Sequence, residues 1–204
     1  ERWWSKGHGT IVEGPDGQWW IIYHAYENGA YSLGRYTLME PIEWTKGGWY
    51  RPVKDLEITQ KAAGNPDPSD NFASPAIGWQ WSAWKENITQ VASVRKGAFC
   101  IPGKGTSPKD GRLATITAFS KRYAVQVDVA TDKKSAASGL LLFYSEKTHA
   151  GLMADAKQLT LYTNGDNTET FPNKYGKELT IRLENLSGKL NVLVCGKDGE
   201  WETL

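Results

Sequence analysis

The 204-residue chain has only two cysteines, three histidines and two methionines, and its hydrophobic residues form no long uninterrupted run. Two cysteines are too few for a disulfide framework, and we interpret Cys100 and Cys195 as buried free thiols. No apolar stretch reaches the roughly 20 residues that a membrane-spanning helix needs. The first residues, ERWWSKGHG, contain no apolar segment of the signal-peptide type. The composition therefore argues against a disulfide-rich scaffold and against a helical membrane protein.

The chain also lacks an excess of charge of either sign. It carries 24 lysines and arginines against 23 aspartates and glutamates, a formal net charge of +1. Such a balance gives no field that would attract nucleic acid or an anionic membrane, and we expect neither as a partner. There is no Ser/His/Asp arrangement, no glycine-rich phosphate loop and no metal-ligand spacing.

Aromatic residues are abundant instead, with ten tryptophans and nine tyrosines. They suit either a packed β core or a surface that stacks on sugars, because a flat apolar ring matches the face of a pyranose. The first fifty residues place many of them in strand-like runs, Gln18–Tyr26 and Tyr31–Met39, with a shorter run at Thr10–Val12. Asn28-Gly29 is a strong hairpin signal, since both residues tolerate positive φ. The pattern predicts a three-stranded meander, as in one propeller blade or part of a barrel or sandwich.

Three polar residues stand out in this region. His8 lies between two glycines, which let backbone approach it closely, whereas His24 and Arg35 lie inside apolar strand runs. An arginine in such a run must reach solvent or meet a fixed acceptor, because an unpaired buried charge is costly. Spacing alone leaves two alternatives open for His8 and two for Arg35. His8 is either a hydrogen-bonded turn histidine or a functional one, and Arg35 either pairs with a carboxylate of its own fold or binds a ligand.

The continuous segment GHGTIVEGPDGQWWIIYHAYENGAYSLGRYTLMEPIEW resembles the last blade of glycoside hydrolase family 43, the β-xylosidases and α-L-arabinofuranosidases. The match runs for about forty residues without a gap, which is far more specific than a short motif. The resemblance implies that His8, the histidine of the Gly-His-Gly motif, lies at the propeller centre near a calcium ion or an ordered water. It also implies that Arg35, in the Gly-Arg motif, binds the sugar in the innermost subsite. Calcium is therefore the one cofactor that we expect.

A single blade cannot close a propeller, because both of its faces need neighbouring blades to bury them. We expect residues 1–64 to be the last blade and closing segment of a five-bladed propeller, with the missing blades of the parent chain as partners. In the resembled family three carboxylates carry the chemistry: a general base, a general acid and an aspartate that orients the acid. They come from earlier blades. We therefore assign no catalytic residue in this sequence and expect the chain alone to be inactive.

The composition changes after residue 46, and KAAGNPDPSDN has the glycine, proline and aspartate content of a linker. We place a domain boundary near Gly64–Asp70, between residues 64 and 65. Beyond it, short runs with period-two alternation and no helical period predict an antiparallel β-sandwich over residues 65–204. The predicted strands are Gly78–Ala83, Thr89–Arg95, Ala98–Ile101, Leu113–Thr117, Tyr123–Val129, Ser138–Tyr144, His149–Asp155, Gln158–Thr163, Leu179–Asn185 and Lys189–Cys195.

This second half is similar to the concanavalin-A-like module that follows the propeller in many family 43 β-xylosidases. The segments that carry the similarity are DNFASPAIGWQWSAWKEN and KLNVLVCGKDGEWETL. The similarity implies an all-β chain whose second domain is a jelly-roll type sandwich, cut short at its C-terminus with an open edge. Trp79, Trp81 and Trp84 could form a sugar-stacking platform, but core packing is favoured for the first two. We interpret His149 as a surface turn residue.

Taken together, the resemblances imply the C-terminal portion of an inverting exo-glycosidase that hydrolyses xylosidic or arabinofuranosidic bonds in plant polysaccharides. Its substrate would be a xylo- or arabino-oligosaccharide, and inversion would require well-separated carboxylates with a water between them. A second hypothesis is a non-catalytic carbohydrate-binding module, and a third is a structural sandwich that braces a propeller. We expect a bacterial source, with the compartment open among secreted, periplasmic and cytoplasmic.

Overall fold

The computed structural model describes residues 2–53, 67–131 and 137–204. Over these ranges the chain is almost entirely β, which confirms the predicted all-β class. It divides into two compact units, Glu1–Pro66 and Asp67–Leu204. The predicted boundary between residues 64 and 65 lies outside the described residues and stays a prediction. No helix in the described ranges is long and apolar enough to cross a membrane.

The first unit is a single antiparallel sheet whose strands follow one another in sequence order. The strands are β1 (Trp3–Glu13), β2 (Trp19–Glu27), β3 (Arg35–Trp44) and β4 (Tyr50–Pro52). The predicted meander is therefore present, with a fourth short strand added at its end. A four-stranded meander is the form that a propeller blade takes.

Strand β1 is much longer than the predicted run Thr10–Val12. Bulges interrupt its pairing with β2 and disturb the period-two pattern from which a strand is predicted. The register shifts between Trp4 and Gly7 and again between Gly7 and Thr10. Ser5 and His8 have φ of 52° and 56°, the left-handed conformation that a bulge accommodates. The glycine-rich segment KGHG breaks the period-two pattern but is part of strand β1.

The prediction of a strand from Tyr31 is wrong. Tyr31–Leu33 forms a short 3₁₀ turn, and the strand begins only at Arg35. Gly34 between them has φ 76° and ψ −163°, a conformation open to glycine and strained for other residues. Arg35 is consequently the first residue of β3 and is exposed, rather than lying inside an apolar run.

The second unit opens with short elements: β5 (Ser82–Ala83), α1 (Ile88–Val91), β6 (Ser93–Arg95), β7 (Ala98–Cys100) and β8 (Ala114–Thr115). Strand β5 pairs with β8, and β6 pairs with β7. The predicted strand Thr89–Arg95 is wrong in its first half, which is helical. The side chain of Asn87 accepts a hydrogen bond from the Thr89 amide at 3.1 Å and so caps the helix.

Among the described residues, eight further strands follow in the second unit, and all but the last are longer than β5–β8. They are β9 (Arg122–Ala130), β10 (Ser138–Ser145), β11 (Thr148–Ala154), β12 (Gln158–Asn164), β13 (Asn167–Pro172), β14 (Glu178–Leu186), β15 (Leu190–Cys195) and β16 (Trp201–Thr203). They form two four-stranded antiparallel sheets, in the orders β10-β11-β12-β13 and β16-β15-β14-β9. This arrangement confirms the predicted β-sandwich.

Both sheets contribute alternate residues to one core. Leu152 and Leu159 of the first sheet lie in the same buried cluster as Ile181, Leu183 and Val194 of the second, and all five are almost fully buried. Burying an aliphatic side chain of this size stabilises a fold by about 1.5–3 kcal/mol relative to leaving it exposed. The period-two alternation that predicted these strands thus comes from the need to fill the space between two sheets.

Three side-chain predictions in the second unit need correction or limitation. Trp79 is 71% exposed, so the prediction of core packing is wrong for it, whereas Trp81 is half-buried and stacks on Phe99 with ring centroids 4.7 Å apart. His149 is only 3% exposed, so the surface-turn interpretation is also wrong. Both cysteines are free as predicted, but only Cys195 is buried.

Candidate functional site

The bulged part of β1 carries His8 towards the neighbouring strand. Gly7 is the cross-strand partner of His24 on β2, and the rings of His8 and His24 meet edge to face with centroids 5.8 Å apart. His8 is exposed and its backbone is left-handed, which is uncommon for a residue other than glycine. The bulge therefore lifts His8 out of the regular ladder and over the side chain of His24.

Arg35 lies on the same face of the sheet, beside the position two residues after His24 on β2. It is the cross-strand partner of Tyr26, and its guanidinium carbon lies 4.9 Å from the centroid of the Tyr26 ring, a cation–π distance. No carboxylate among the residues that the structure describes forms an ion pair with it. The guanidinium has five N–H donors in a fixed plane, and they are available to a ligand.

Two further aromatic rings pack around Tyr26, the ring that contacts this guanidinium. Trp4 stacks on Tyr26 at 5.7 Å, and Tyr31 meets Trp4 edge-on at 5.2 Å and Tyr26 at 6.0 Å. Trp4 and Tyr31 are 45% and 52% exposed, so part of each ring is open to solvent. We call Trp4, Tyr26, Tyr31 and Arg35 the arginine–aromatic cluster. It combines open ring faces with a charged donor group, the combination that suits a neutral sugar.

His24 lies between His8 and this cluster on the same face, because residues two apart on a strand share a side. Partial burial lowers the pKa of His24, and the positive charge of Arg35 and the neighbouring His8 lower it further. His24 is thus held neutral at neutral pH. A neutral imidazole presents one donor and one acceptor, which adds a second hydrogen-bonding group beside the guanidinium.

The structure therefore brings His8, His24 and Arg35 together on one face of the sheet. Sequence reasoning identified all three but missed the contribution of Tyr31, which it placed in a strand. The signal for the turn was Gly34, because a glycine directly before a strand commonly marks a positive-φ break. The cluster contains no pair of carboxylates, and glycosidic hydrolysis requires such a pair.

Calcium does not fit the described residues alone. The ion takes six to eight oxygen ligands, whereas His8 and His24 offer ring nitrogens. Within residues 2–53, 67–131 and 137–204, no group of three or more histidine, cysteine, aspartate or glutamate side chains could hold a metal ion. A calcium site near His8 would need further oxygen ligands, such as backbone carbonyls, waters or groups of other residues.

Comparison with protein families gives a match for the first unit. Residues 1–50 match the model described as Glycosyl hydrolases family 43. Two curated bacterial proteins are similar over longer stretches. A β-xylosidase of Formosa agariphila is 29% identical over 97 residues, which is 41% of this chain and 16% of that protein. A non-reducing end α-L-arabinofuranosidase of Bacteroides ovatus is 25% identical over 168 residues, which is 72% of this chain and 31% of that protein.

Solved structures show the same fold over the whole chain. A family 43 protein of Bacillus licheniformis gives a TM-score of 0.82 at 16% identity, and a xylan β-1,4-xylosidase of Bacillus halodurans gives 0.83 at 18% identity. Each covers all of this chain, whereas this chain covers 44% and 45% of those proteins. The chain thus spans less than half the length of the solved structures that it matches.

Proposed function

Since residues 1–50 match glycoside hydrolase family 43 as their motifs predicted, we propose that this chain works as the C-terminal part of an inverting exo-glycosidase. Its substrate class is xylosidic or arabinofuranosidic bonds in plant polysaccharides. The similarity to a β-xylosidase and to an α-L-arabinofuranosidase supports this class. The source proposed is bacterial, as for both relatives, in a secreted, periplasmic or cytoplasmic location.

One observation supports the role of the first unit in this proposal: the guanidinium of Arg35 lies over the ring of Tyr26 and has no carboxylate partner among the described residues. A charged fork left open on an aromatic face is suited to hold the hydroxyl groups of a sugar in a fixed orientation. Stacking against Trp4 or Tyr31 would place the apolar face of the sugar at the same time. Arg35 is therefore the proposed substrate-binding residue.

The catalytic groups of the proposed enzyme lie outside this chain, in the other blades of a five-bladed propeller. Those blades would supply the general acid, the general base and the third carboxylate, and they would also cover the faces of the blade formed by β1–β4. His8 would bind a water molecule at the propeller centre, and any calcium ion there would take its oxygen ligands from the other blades.

The first test separates the two parts of this proposal. The 204-residue chain and the same chain extended by its upstream coding sequence are assayed with aryl β-xyloside and aryl α-L-arabinofuranoside. We expect turnover only from the extended protein, because the acid and base that hydrolysis needs are absent from the shorter chain. Turnover by the 204-residue chain that a sugar competitor blocks would contradict the division of labour. An inactive extended protein would contradict the glycosidase proposal itself.

The second test concerns Arg35 in the extended protein. Arg35→Ala and Arg35→Lys are both expected to lower kcat/KM, by about 2–4 kcal/mol of transition-state stabilisation if the guanidinium contacts the substrate. Lysine keeps the charge but loses the planar fork. Arg51→Ala is the matched control, because Arg51 is an exposed arginine on the same sheet that pairs with Glu43 at 2.7 Å. If activity falls only in step with the melting temperature, Arg35 is a structural residue.

A further inference from the structure

The second unit has its own candidate binding site, away from the residues discussed so far. A cavity of about 130 Å³ is lined by Trp79, Gln80, Ser82, Ile116, Thr117 and Phe119. Pairing of β5 with β8 joins Ser82 to Thr115, and so brings the residues before β5 beside the residues after β8. The cavity thus forms where two short strands end side by side.

Trp79 lines this cavity, and most of its side chain is exposed to solvent. The residue is 71% exposed, and Phe119 and Ile116 beside it are 41% and 36% exposed. Its neighbours Trp81 and Trp84 both pack on phenylalanines, Phe99 and Phe143. No aromatic contact and no hydrogen bond of the indole are found for Trp79 in the part of the chain that the structure describes. Trp79, Ile116 and Phe119 together form an exposed apolar patch beside polar groups, which is characteristic of a binding surface.

Gln80, a polar lining residue of the cavity, is held in place by Asp70, which is not one of the lining residues. The Asp70 carboxylate accepts hydrogen bonds from Trp81 Nε1 at 2.9 Å and from Gln80 Nε2 at 3.2 Å. The Gln80 side chain lies tightly against Gly78, where an added Cβ would sit 2.3 Å from Oε1. The hydrogen bond to Asp70 therefore holds the amide of Gln80, the absence of a Cβ at Gly78 leaves room for it, and its Oε1 remains an acceptor. Such support is what keeps a binding group in one geometry.

The chemistry of the lining selects a neutral polyol. None of the six lining residues is charged, so no side chain of the lining offers a positive charge to a phosphate or a carboxylate. Ser82, Thr117 and Gln80 provide hydroxyl and amide groups beside the aromatic rings, which a purely apolar ligand would leave unpaired. A sugar ring has an apolar C–H face and hydroxyl groups at its edge, and so matches both walls.

We propose that the second unit binds the sugar ring of a neutral plant polysaccharide at this cavity, with Trp79 stacking on the ring and Gln80, Ser82 and Thr117 binding its hydroxyls. The site is non-catalytic and independent of Arg35. Its volume lies below the roughly 300–1,000 Å³ of pockets for drug-sized ligands, so it takes a single sugar ring of a longer chain. The site stands on the geometry of the second unit alone. Only the choice of xylan-type and arabinan probes rests on the proposed function.

The test is affinity electrophoresis and calorimetry of the 204-residue chain with soluble arabinoxylan, linear arabinan and galactomannan. We expect at least one polysaccharide to retard the chain, with binding weakened about tenfold or more in Trp79→Ala, which corresponds to roughly 1.4 kcal/mol. Gln80→Ala should weaken it less. Trp49→Ala is the control, because Trp49 is 78% exposed but lies in the first unit. Melting curves of each variant verify that the fold is retained, which we expect for so exposed a residue.

The outcomes are distinct. Binding of arabinoxylan or arabinan that requires Trp79 but not Trp49 supports both the site and the proposed substrate class. Binding of galactomannan alone, again lost in Trp79→Ala, supports the site and contradicts the substrate class. Binding that survives in a folded Trp79→Ala variant overturns the site, because the sugar is then held elsewhere. Failure of the folded wild-type chain to bind any of the three polysaccharides overturns it as well.

Discussion

The hydroxyl of Tyr23 donates a 2.5 Å hydrogen bond to the carboxylate of Glu40 across strands β2 and β3. Tyr23 is buried and Glu40 is half-buried, so the pair lies at the margin of the core of the first unit. Burial of the phenol raises the pKa of Tyr23 to about 12, and the negative charge of Glu40 contributes in the same direction. The phenol therefore remains a donor throughout the physiological range.

Replacing this phenol should destabilise the first unit. Tyr23→Phe is expected to lower its free energy of unfolding by about 1.5–3 kcal/mol, the range for a hydrogen bond to a charged group. Because the folded pKa is raised above 10, the contribution of Tyr23 is complete below pH 10 and decreases as the pH rises towards about 12. Denaturant unfolding at neutral pH and above pH 10 measures both effects. Equal losses for Tyr23→Phe at the two pH values would contradict this coupling.

The protonation of His24 should report on its neighbours. In an NMR titration of the 204-residue chain, we expect the His24 imidazole to titrate below the ordinary pKa of 6.5, since burial, Arg35 and His8 all disfavour the charged ring. Arg35→Gln should raise that pKa only in part, because burial is the largest of the three causes. The stability that the lowered pKa confers is complete above 6.5 and is lost as the pH falls through the folded pKa. If the pKa of His24 is the same in Arg35→Gln as in the wild type, the guanidinium does not lie close enough to the imidazole to affect its charge.

Gly139 of β10 cannot accept a side chain. A Cβ added there would lie 2.0 Å from the Leu152 carbonyl oxygen and 2.7 Å from the Met153 Cα, which are backbone atoms of the paired strand. Gly139→Ala should therefore cost about 3 kcal/mol or more of sandwich stability, at or beyond the upper end of overpacking effects. Gly196→Ala is the control, because its Cβ would meet its nearest atom, Tyr175 Cδ1, at an ordinary 3.4 Å. Comparable melting temperatures for the two variants would contradict the close strand approach.

His149 is buried between Phe143 and Tyr162, with ring centroids 6.1 and 5.5 Å away. Its Nδ1 lies 3.4 Å from the Ser145 carbonyl oxygen, and its Nε2 has no hydrogen-bond partner among the described residues. Since an unpaired buried polar atom is unfavourable, His149→Phe should change stability by less than about 1 kcal/mol or raise it. His149→Ala should cost roughly 2–5 kcal/mol because it leaves a cavity. Chemical denaturation of both variants distinguishes a packing role from a hydrogen-bonding one, in which the two would be equally destabilised.

Much of the fold follows from local sequence rules, and the errors have identifiable causes. The Asn28-Gly29 turn and the alternating residues of β9 and β14 were predictable, because turn chemistry and period-two burial act locally. Strand β13 was not, because its sequence NTETFP is polar and mostly exposed and so leaves no alternation to detect. Asn87 changed the outcome for the following residues, since a helix cap overrides a weak strand preference.

The candidate site was predictable residue by residue but not as an arrangement. His8 and Arg35 could be selected from their motifs. The contact between His8 and His24, however, depends on two bulges in β1, and no sequence periodicity predicts these bulges. The prediction for Trp79 was wrong for another reason. The expected strand Gly78–Ala83 forms only at Ser82–Ala83, so Trp79 lies in a turn before the strand and strand alternation with Trp81 does not apply to it.

Strand β13 forms one margin of its sheet, and five of its six residues are exposed. A margin of this kind can recruit a strand from a second molecule and begin a fibril. Here the margin is six residues long, bears a carboxylate at Glu169 and ends in Pro172, which has no amide hydrogen to donate. Concentrated preparations of the chain should consequently remain free of intermolecular sheet growth along β13.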